Sequence, residues 1–279
     1  MIVIEALSDI SKFANFEVYH FGEKEIIIYD DHRCILTVLF EARKLGLIDD
    51  LTNLITFDMH DDAKPVHPDT TRLLGELLKY DLSDMPSRDF KSFVEFDICN
   101  MDDDWVTVGM ELGLINNIVN IGCEENFNIR EWQNNFYVDM NQKEHSGFVI
   151  GHLRDELNRH GGRIADMTLQ ENDRIRKILG YVDSGVYPYI QEGMNFVLDF
   201  DLDCFTTICM SERYAWPERI FHNEYVDNEA GYFMQELIRN AKFITICREP
   251  SYCGGTEGRE SLALIAIFTA ISISALLSM

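Results

Sequence analysis

Runs of β-branched and aromatic residues alternate with helical patterns along most of the chain, and this alternation constrains the fold more than any other feature. Such continuous runs are typical of strands buried on both faces. They predict strands at 16–21, 25–29, 54–58, 92–97, 117–122, 196–200 and 243–247. Apolar spacing predicts helices at 34–45, 70–78, 105–114, 228–240 and 259–277. The alternation predicts a three-layer α/β/α fold around a mostly parallel central sheet.

The chain is long enough for one large domain. It has 279 residues, of which 46% are hydrophobic, so it can bury a sizeable core. Repeats, low-complexity tracts and Pro/Gly/Ser linkers are not apparent, and we therefore expect a single domain over 1–279. Residues 123–190 mix polar and aromatic side chains. We interpret them as an irregular elaboration that covers or shapes a site, with a small independent domain as the alternative.

The chain carries a formal net charge of −24 at pH 7. Nucleic-acid binding needs clustered Lys and Arg to neutralise phosphates, and this composition does not supply them, which argues against nucleic acid as a partner. A cationic partner is the natural complement of the charge. A general contribution to solubility is the alternative, and the charge alone leaves both open.

Cysteine usage and the chain ends favour a cytoplasmic protein. The seven cysteines show neither a CxxC pair nor zinc-ribbon spacing, and predict buried thiols in a reducing compartment. The first residues lack the pattern of a secretory signal. The uncharged run 262–278 approaches the length of a membrane span, but its serines and the lack of flanking basic residues favour a buried last helix over a tail anchor.

Metal-capable side chains follow two of the early predicted strands. His32 lies at a strand end within IIIYDDHRCIL, where Asp31 could cap the next helix. Taken alone, such a histidine is more often a structural residue than a metal ligand. The next strand ends in LITFDMHDD, so Asp58, His60 and Asp62 form D-x-H-x-D and point to one side of an extended chain. Carboxylates with an imidazole suit Mn²⁺ or a similar divalent ion.

A later strand, MNFVLDFDLDCF, carries Asp199, Asp201 and Asp203 at the same spacing of two. Carboxylates on an otherwise apolar strand are costly unless they are paired or bind cations. Because ligands in parallel sheets bind at the carboxyl ends of strands, we expect these acids to face the D-x-H-x-D group.

A histidine at one strand end, D-x-H-x-D at the next and D-x-D on a later strand, in this order, resemble the arginase and histone-deacetylase superfamily. The resemblance implies an arginase-like α/β fold and a pair of Mn²⁺ ions, with Fe²⁺ or Co²⁺ as alternatives. It implies that Asp58 and Asp199 bridge the two metals. His32 and Asp62 would complete one metal site, and His60 and Asp201 the other.

The same resemblance implies a reaction and further residues. Arginase-like enzymes use a metal-bridging hydroxide to attack the guanidinium carbon, which yields an amine and urea. In this family a Glu after a late strand holds the guanidinium, and ITICREP places Glu249 near that position. A histidine beyond D-x-H-x-D is the usual proton shuttle, for which His67 is the nearest candidate and His152 the alternative.

Departures from the family pattern indicate the substrate class. Arginases carry GGDHS before the first ligand and S-x-D-x-D-x-x-D-P on the later strand, whereas this chain has YDDHRC and VLDFDLDCF. Together with DDDWVTVGMELG, these variants resemble a divergent branch that includes peptide arginases, which convert arginine to ornithine in ribosomally made precursor peptides. An arginine-containing precursor peptide is therefore the expected partner. Trp105 and other aromatics either pack in the core or line a groove for that peptide.

Two other functions stay open at this stage, as does a homo-oligomer. A deacetylase-like enzyme would hydrolyse an amide on acylated lysine or polyamine, although such relatives use one zinc and replace one acidic ligand. A metal-binding scaffold without activity would keep the same ligands. Urea release from arginyl substrates separates both from the first hypothesis.

Overall fold

The computed structural model describes residues 7, 10, 13, 15–21, 24–49, 52–58, 60, 62–79, 81–98, 104–116, 118–121, 195–209, 212–215 and 237–250. Predictions for the elaboration at 123–190, the run 262–278, the helix 259–277 and most of the helix 228–240 fall outside these residues. All six predicted metal ligands, Glu249 and His67 fall within them.

The centre of the fold is a six-stranded sheet in the order β1-β2-β8-β5-β3-β4. Its strands are β1 (Glu17–Phe21), β2 (Lys24–Tyr29), β3 (Asn53–Phe57), β4 (Ile118–Ile121), β5 (Phe196–Asp201) and β8 (Ile244–Cys247). β1 pairs antiparallel with β2, and every other pairing in this sheet is parallel. A separate antiparallel pair, β6 (Thr206–Cys209) and β7 (Glu212–Ala215), was not predicted.

The central strands are buried on both faces. Every residue of β3, β5 and β8 is buried, as are all of β2 after its first residue. Continuous apolar runs produce this burial because a parallel strand covered on both sides has no solvent-facing positions. The predicted α/β class with a mostly parallel central sheet is therefore confirmed.

Four α-helices are described over their whole length: α1 (Ile35–Lys44), α2 (Pro68–Leu77), α3 (Ser87–Asp97) and α4 (Trp105–Glu111). The strand predicted at 92–97 is wrong, because these residues form the second half of α3. Phe90, Phe93 and Val94 are its buried residues, and a spacing of three and four places them on one helical face. The aromatic content of 92–97 favours a strand locally, but the burial has helical periodicity.

α4 lies close to α1 through a glycine. A Cβ added at Gly109 would lie 2.7 Å from Ile115 Cδ1 and 2.8 Å from Leu36 Cδ2, so the absence of a side chain permits the approach. The first residue of α4, Trp105, is fully buried.

The structure describes the side chains of two of the predicted thiols. Cys34 and Cys247 are buried and free. Burial raises the pKa of Cys34 to about 12 and that of Cys247 well above its ordinary value. Neither is therefore a reactive thiolate at neutral pH. Among the helices formed by the described residues, none is both long and apolar enough to cross a bilayer.

Candidate metal centre

The carboxyl ends of four parallel strands bring the predicted ligands to one edge of the sheet. Asp58 follows β3, Asp201 ends β5, Glu249 follows β8 and His32 follows β2. β2, β8, β5 and β3 are consecutive neighbours, so these four side chains come from one continuous set of strands. This is the edge at which parallel α/β sheets bind ligands.

The strand register arranges polar residues in two levels. Asp199 lies opposite Thr56 of β3 and Thr245 of β8. Phe57 lies opposite Phe200, so the next residue, Asp58, is level with Asp201. The upper level holds Asp58 and Asp201, and the lower level holds Asp199 and the two threonines. The levels are about 6.6 Å apart, the rise of two residues of a parallel strand.

His32 connects the two levels. Its imidazole is fully buried, and Nε2 lies 2.8 Å from Asp199 Oδ2 in the lower level. Nδ1 faces upward, with Asp62 Oδ2 and Asp201 Oδ2 each at 3.2 Å and Asp58 Oδ2 at 3.4 Å. Despite these distances, Nδ1 makes no hydrogen bond of acceptable geometry with any described residue. A buried nitrogen without a hydrogen bond, surrounded by three carboxylate oxygens, fits a cation among them.

A second group of metal-capable side chains, formed by Asp58, His60 and Asp203, lies next to the first group around His32 Nδ1. His60 Nδ1 is 2.9 Å from Asp203 Oδ2 and 3.9 Å from Asp58 Oδ1. Asp58 and Asp201 also orient the local backbone, because Asp58 accepts from the His60 amide at 2.7 Å and Asp201 from the Asp203 amide at 3.0 Å. Asp58 contributes Oδ2 to the group around His32 and Oδ1 to the group around His60.

The geometry changes one part of the expected ligand arrangement. Asp199 lies beneath His32, whereas Asp58 is level with Asp201, so the described geometry does not bring Asp58 and Asp199 together as the expected bridging pair. His60 likewise lies against Asp203 rather than forming the expected set with Asp201. The expectation used the first two acids of D-x-D-x-D, whereas the register brings the last two to the strand end. Spacing could have revealed this, since Asp203 shares the face of Asp201.

Trp105 supports the first group from the side. Its indole Nε1 donates to Asp62 Oδ2 at 2.6 Å, and its ring centroid lies 4.6 Å from that of His32. The Asp62 carbonyl also accepts from the Val106 amide at 3.1 Å. Asp62 has a positive φ of 45°, which this anchoring stabilises. Trp105 is thus a core residue that contacts Asp62 and His32 of the first group. Its full burial excludes a position in an exposed groove.

Glu249 is held at the rim by the residue before it. Arg248 donates from Nε to Asp30 Oδ1 at 2.6 Å and from a terminal nitrogen to Glu17 Oε1 at 2.9 Å. The Arg248 amide also bonds the Tyr29 carbonyl at 2.9 Å. Glu249 then adopts a positive φ of 34°, a sparsely populated conformation for a side-chain-bearing residue. Glu249 as a whole is 7% exposed.

Crowded carboxylates raise their own pKa values when no cation separates them. Burial, with added repulsion from neighbouring acids, raises the pKa of Asp58 well above its ordinary value. The same causes raise the pKa of Asp201 to about 7 and that of Glu249 to about 9. Burial opposes the charging of His32, yet Asp199 and the other carboxylates raise its pKa well above 6.5. The site therefore has a large deficit of positive charge, which protons fill when metal is absent.

The donor set matches a small divalent cation. Three groups of side chains could hold a metal, with ligand atoms within 4.8 Å of one another: His32, Asp58 and Asp62; His32, Asp201 and Glu249; and Asp58, His60 and Asp203. Octahedral coordination at about 2.1 Å places adjacent ligand atoms about 3 Å apart, close to the spacing around His32 Nδ1. The residues present therefore fit a metal centre of oxygen and imidazole ligands.

His67 has a different local role. It is the N-cap residue of α2, where its Nδ1 accepts from the Asp69 amide at 3.3 Å, and its side chain is 59% exposed. Its own amide donates to Asp104 Oδ2 at 3.3 Å. Helix capping accounts for this histidine, and the structure adds no support for a proton shuttle there.

No family model matches the chain, and no curated protein matches its sequence. Among solved structures, the chain is similar to one described as the crystal structure of Helicobacter pylori arginase. The two are 12% identical, the TM-score is 0.41, and the match covers 89% of this chain and 71% of that chain.

Proposed function

We propose that the chain is a binuclear metal-dependent hydrolase of the ureohydrolase type, which converts peptidyl arginine to ornithine with release of urea. The observation that carries this proposal is the pair of ligand groups that share Asp58, with a buried Glu249 beside them. A mononuclear deacetylase needs only one such group. The second group, with His60 and Asp203, therefore favours the binuclear alternative.

Each proposed metal has its own ligands and a shared one. His32, Asp62 and Asp201 would hold one cation, and His60 and Asp203 the other, with Asp58 common to both. We propose Mn²⁺, because carboxylates outnumber imidazoles and thiolates are absent from the groups described. When bound, a metal pair of this kind makes water nucleophilic at neutral pH.

Charge balance leaves Glu249 for the substrate. The carboxylates of Asp58, Asp62, Asp201 and Asp203 match the charge of two divalent cations. Glu249 is then an acid outside the proposed ligand set, within 4.8 Å of His32 and Asp201 ligand atoms. A guanidinium presents paired N–H donors that fit a carboxylate, and it would supply the positive charge that Glu249 lacks.

A peptide is the proposed context of the target arginine. The net charge of −24 favours approach of a cationic peptide, because opposite charges accelerate encounter. The departures of YDDHRC and VLDFDLDCF from the pattern of free-arginine enzymes agree with this choice. We propose a cytoplasmic enzyme that acts on a precursor peptide.

The test is urea release from arginine-containing peptides with added Mn²⁺, together with the peptide's mass. The proposal predicts urea and an ornithine-containing product, with free arginine and acyl-lysine peptides as poor substrates. Glu249→Gln should raise KM for the peptide while metal content stays the same. Glu76→Gln, on the exposed surface of α2, is the matched control and should have no effect. Two bound metals without urea from any arginyl peptide would refute the catalytic claim, and hydrolysis of acyl-lysine would favour the deacetylase alternative.

A further inference from the structure

We propose that Asp199 is a positioning residue that holds the His32 ring so that Nδ1 is directed at the metal ligands. The inference rests on the proposed metal centre, but it concerns a residue that does not itself contact the metals. Asp199 is fully buried and lies one level below Asp58 and Asp201.

Four donors converge on the Asp199 carboxylate. Oδ1 accepts from the Thr245 hydroxyl at 2.6 Å and from the Tyr29 hydroxyl at 3.1 Å. Oδ2 accepts from the Thr56 hydroxyl at 2.8 Å and lies 2.8 Å from His32 Nε2. Both carboxylate oxygens are therefore engaged by groups of the sheet and by His32, which fixes the position of the carboxylate.

The strands create this arrangement through their register. Asp199 lies on β5, between its two neighbouring strands. Its direct neighbours across the sheet are Thr56 on β3 and Thr245 on β8. Tyr29 reaches across from β2, the next strand in the sheet. Four adjacent strands thus supply the carboxylate and its three hydroxyl donors, all of them buried. Elements this rigid fix the position of a side chain more precisely than loops do.

The contact determines which histidine nitrogen can bind a metal. An ionised carboxylate only accepts hydrogen bonds, so Nε2 must carry a proton towards Asp199. In the neutral ring the lone pair is then on Nδ1, the atom that lies among Asp58, Asp62 and Asp201. Outer partners of this kind orient metal-binding histidines and increase their basicity, and their loss weakens metal binding.

Asp199→Asn tests the inference in the full-length protein. The neutral amide removes the charge-assisted bond to Nε2 and can present a donor there instead. We expect two Mn²⁺ per chain at saturation, as in the wild type, but an affinity about 10–100-fold weaker at one of the two sites. Asp69→Asn, the same change on an exposed residue of α2, is the matched control and should bind as the wild type does.

A spectroscopic measurement separates positioning from simple loss of structure. In ¹⁵N-histidine-labelled protein, His32 should show a hydrogen-bonded Nε2–H proton both without metal and with Zn²⁺, and Asp199→Asn should shift or remove it. If that variant does not fold, Thr245→Val removes one donor and should produce a smaller loss of affinity of the same kind.

Three results would overturn the inference. A fall to one metal or none at saturation in Asp199→Asn would make Asp199 a ligand. Wild-type affinity with an unchanged Nε2–H signal would show that it does not position the ring. A wild-type His32 that lacks the Nε2–H signal would exclude the contact itself. Failure of the wild type to bind metal would instead refute the proposed function, and the signal of the metal-free protein would still decide whether Asp199 orients His32.

Discussion

Replacing Trp105 with Phe tests how far the metal ligands depend on their neighbours. The substitution keeps an aromatic ring against His32 but removes the indole N–H, which lies 2.6 Å from Asp62 Oδ2. Asp62 then loses its donor while it stays in a buried environment. Water has little access to replace the lost bond, so the cost of the change should be large.

The expected magnitude follows from the type of bond. A hydrogen bond to a charged group contributes about 1.5–3 kcal/mol, so the free energy of unfolding of the metal-free protein should fall by at least that amount. The smaller phenyl ring also leaves a cavity, which adds to the loss. Metal affinity at the site of His32 and Asp62 should fall about 10–100-fold, because Trp105 orients a ligand from outside the coordination shell.

The assay combines denaturant unfolding of metal-free protein with Mn²⁺ titration by calorimetry. Phe90→Leu is the control, because Phe90 is fully buried in the core and stacks on Phe40 at 4.1 Å. It should lower stability by a comparable amount and leave metal affinity unchanged. If Trp105→Phe loses stability but binds Mn²⁺ as tightly as the wild type, Trp105 is only a core residue and does not support the metal ligands.

In the proposed binuclear centre, Asp203→Asn should remove one metal, whereas Asp58→Asn should remove both because Asp58 is shared. Metal analysis after dialysis checks this, and equal losses of metal in the two variants would contradict the shared role of Asp58. Because folding raises the pKa values of Asp201 and Glu249, these two acids stabilise the metal-free fold fully when the pH is below their ordinary pKa values of 3.8 and 4.5. This stabilisation is lost as the pH rises through about 7 for Asp201 and about 9 for Glu249. The melting temperature of metal-free protein should therefore fall relative to that of Mn²⁺-bound protein as the pH rises from about 5 to 9, and metal binding should release protons. A difference in melting temperature that stays constant over this range would contradict the prediction. Arg248→Lys should raise KM for an arginyl peptide several-fold with metal content unchanged, because Lys cannot reproduce the two-sided contact that anchors Glu249; an unchanged KM would exclude this positioning.

The sequence predicted the sheet well because its strands carry strong local signals. Six of the seven predicted runs are strands of the central sheet, and their order along the chain places the D-x-H-x-D group after β3 as expected. The failure at 92–97 has a physical cause. Phe93 and Phe96 favour a strand, but Phe90, Phe93 and Val94 share a helical face that packs into the core, and tertiary burial overrode local preference.

The site was predicted in composition but not in arrangement. Period-two spacing identified three acids on β5 and its end, yet it could not show which of them reach the level of Asp58, because register depends on pairing with a distant strand. The support from Tyr29, Thr56 and Thr245 was invisible for the same reason. A hydroxyl within an apolar strand carries little signal until its neighbour across the sheet is known.

The contact of Trp105 with Asp62 spans 43 residues and could not be predicted from spacing. Glu249 was located by its place after a late strand, and its buried position next to Asp201 agrees with that placement. His67 was chosen for proximity in sequence, and its capping of α2 shows why proximity alone is a weak guide.

Anomalous diffraction at the manganese edge, from crystals grown with Mn²⁺, would locate the proposed metals. We expect two peaks that share Asp58, one contacting His32 Nδ1 with Asp62 and Asp201, the other contacting His60 and Asp203. Asp199 should stay hydrogen-bonded to His32 outside both coordination shells. A single peak, peaks elsewhere, or a metal bound directly by Asp199 would contradict the proposed binuclear centre.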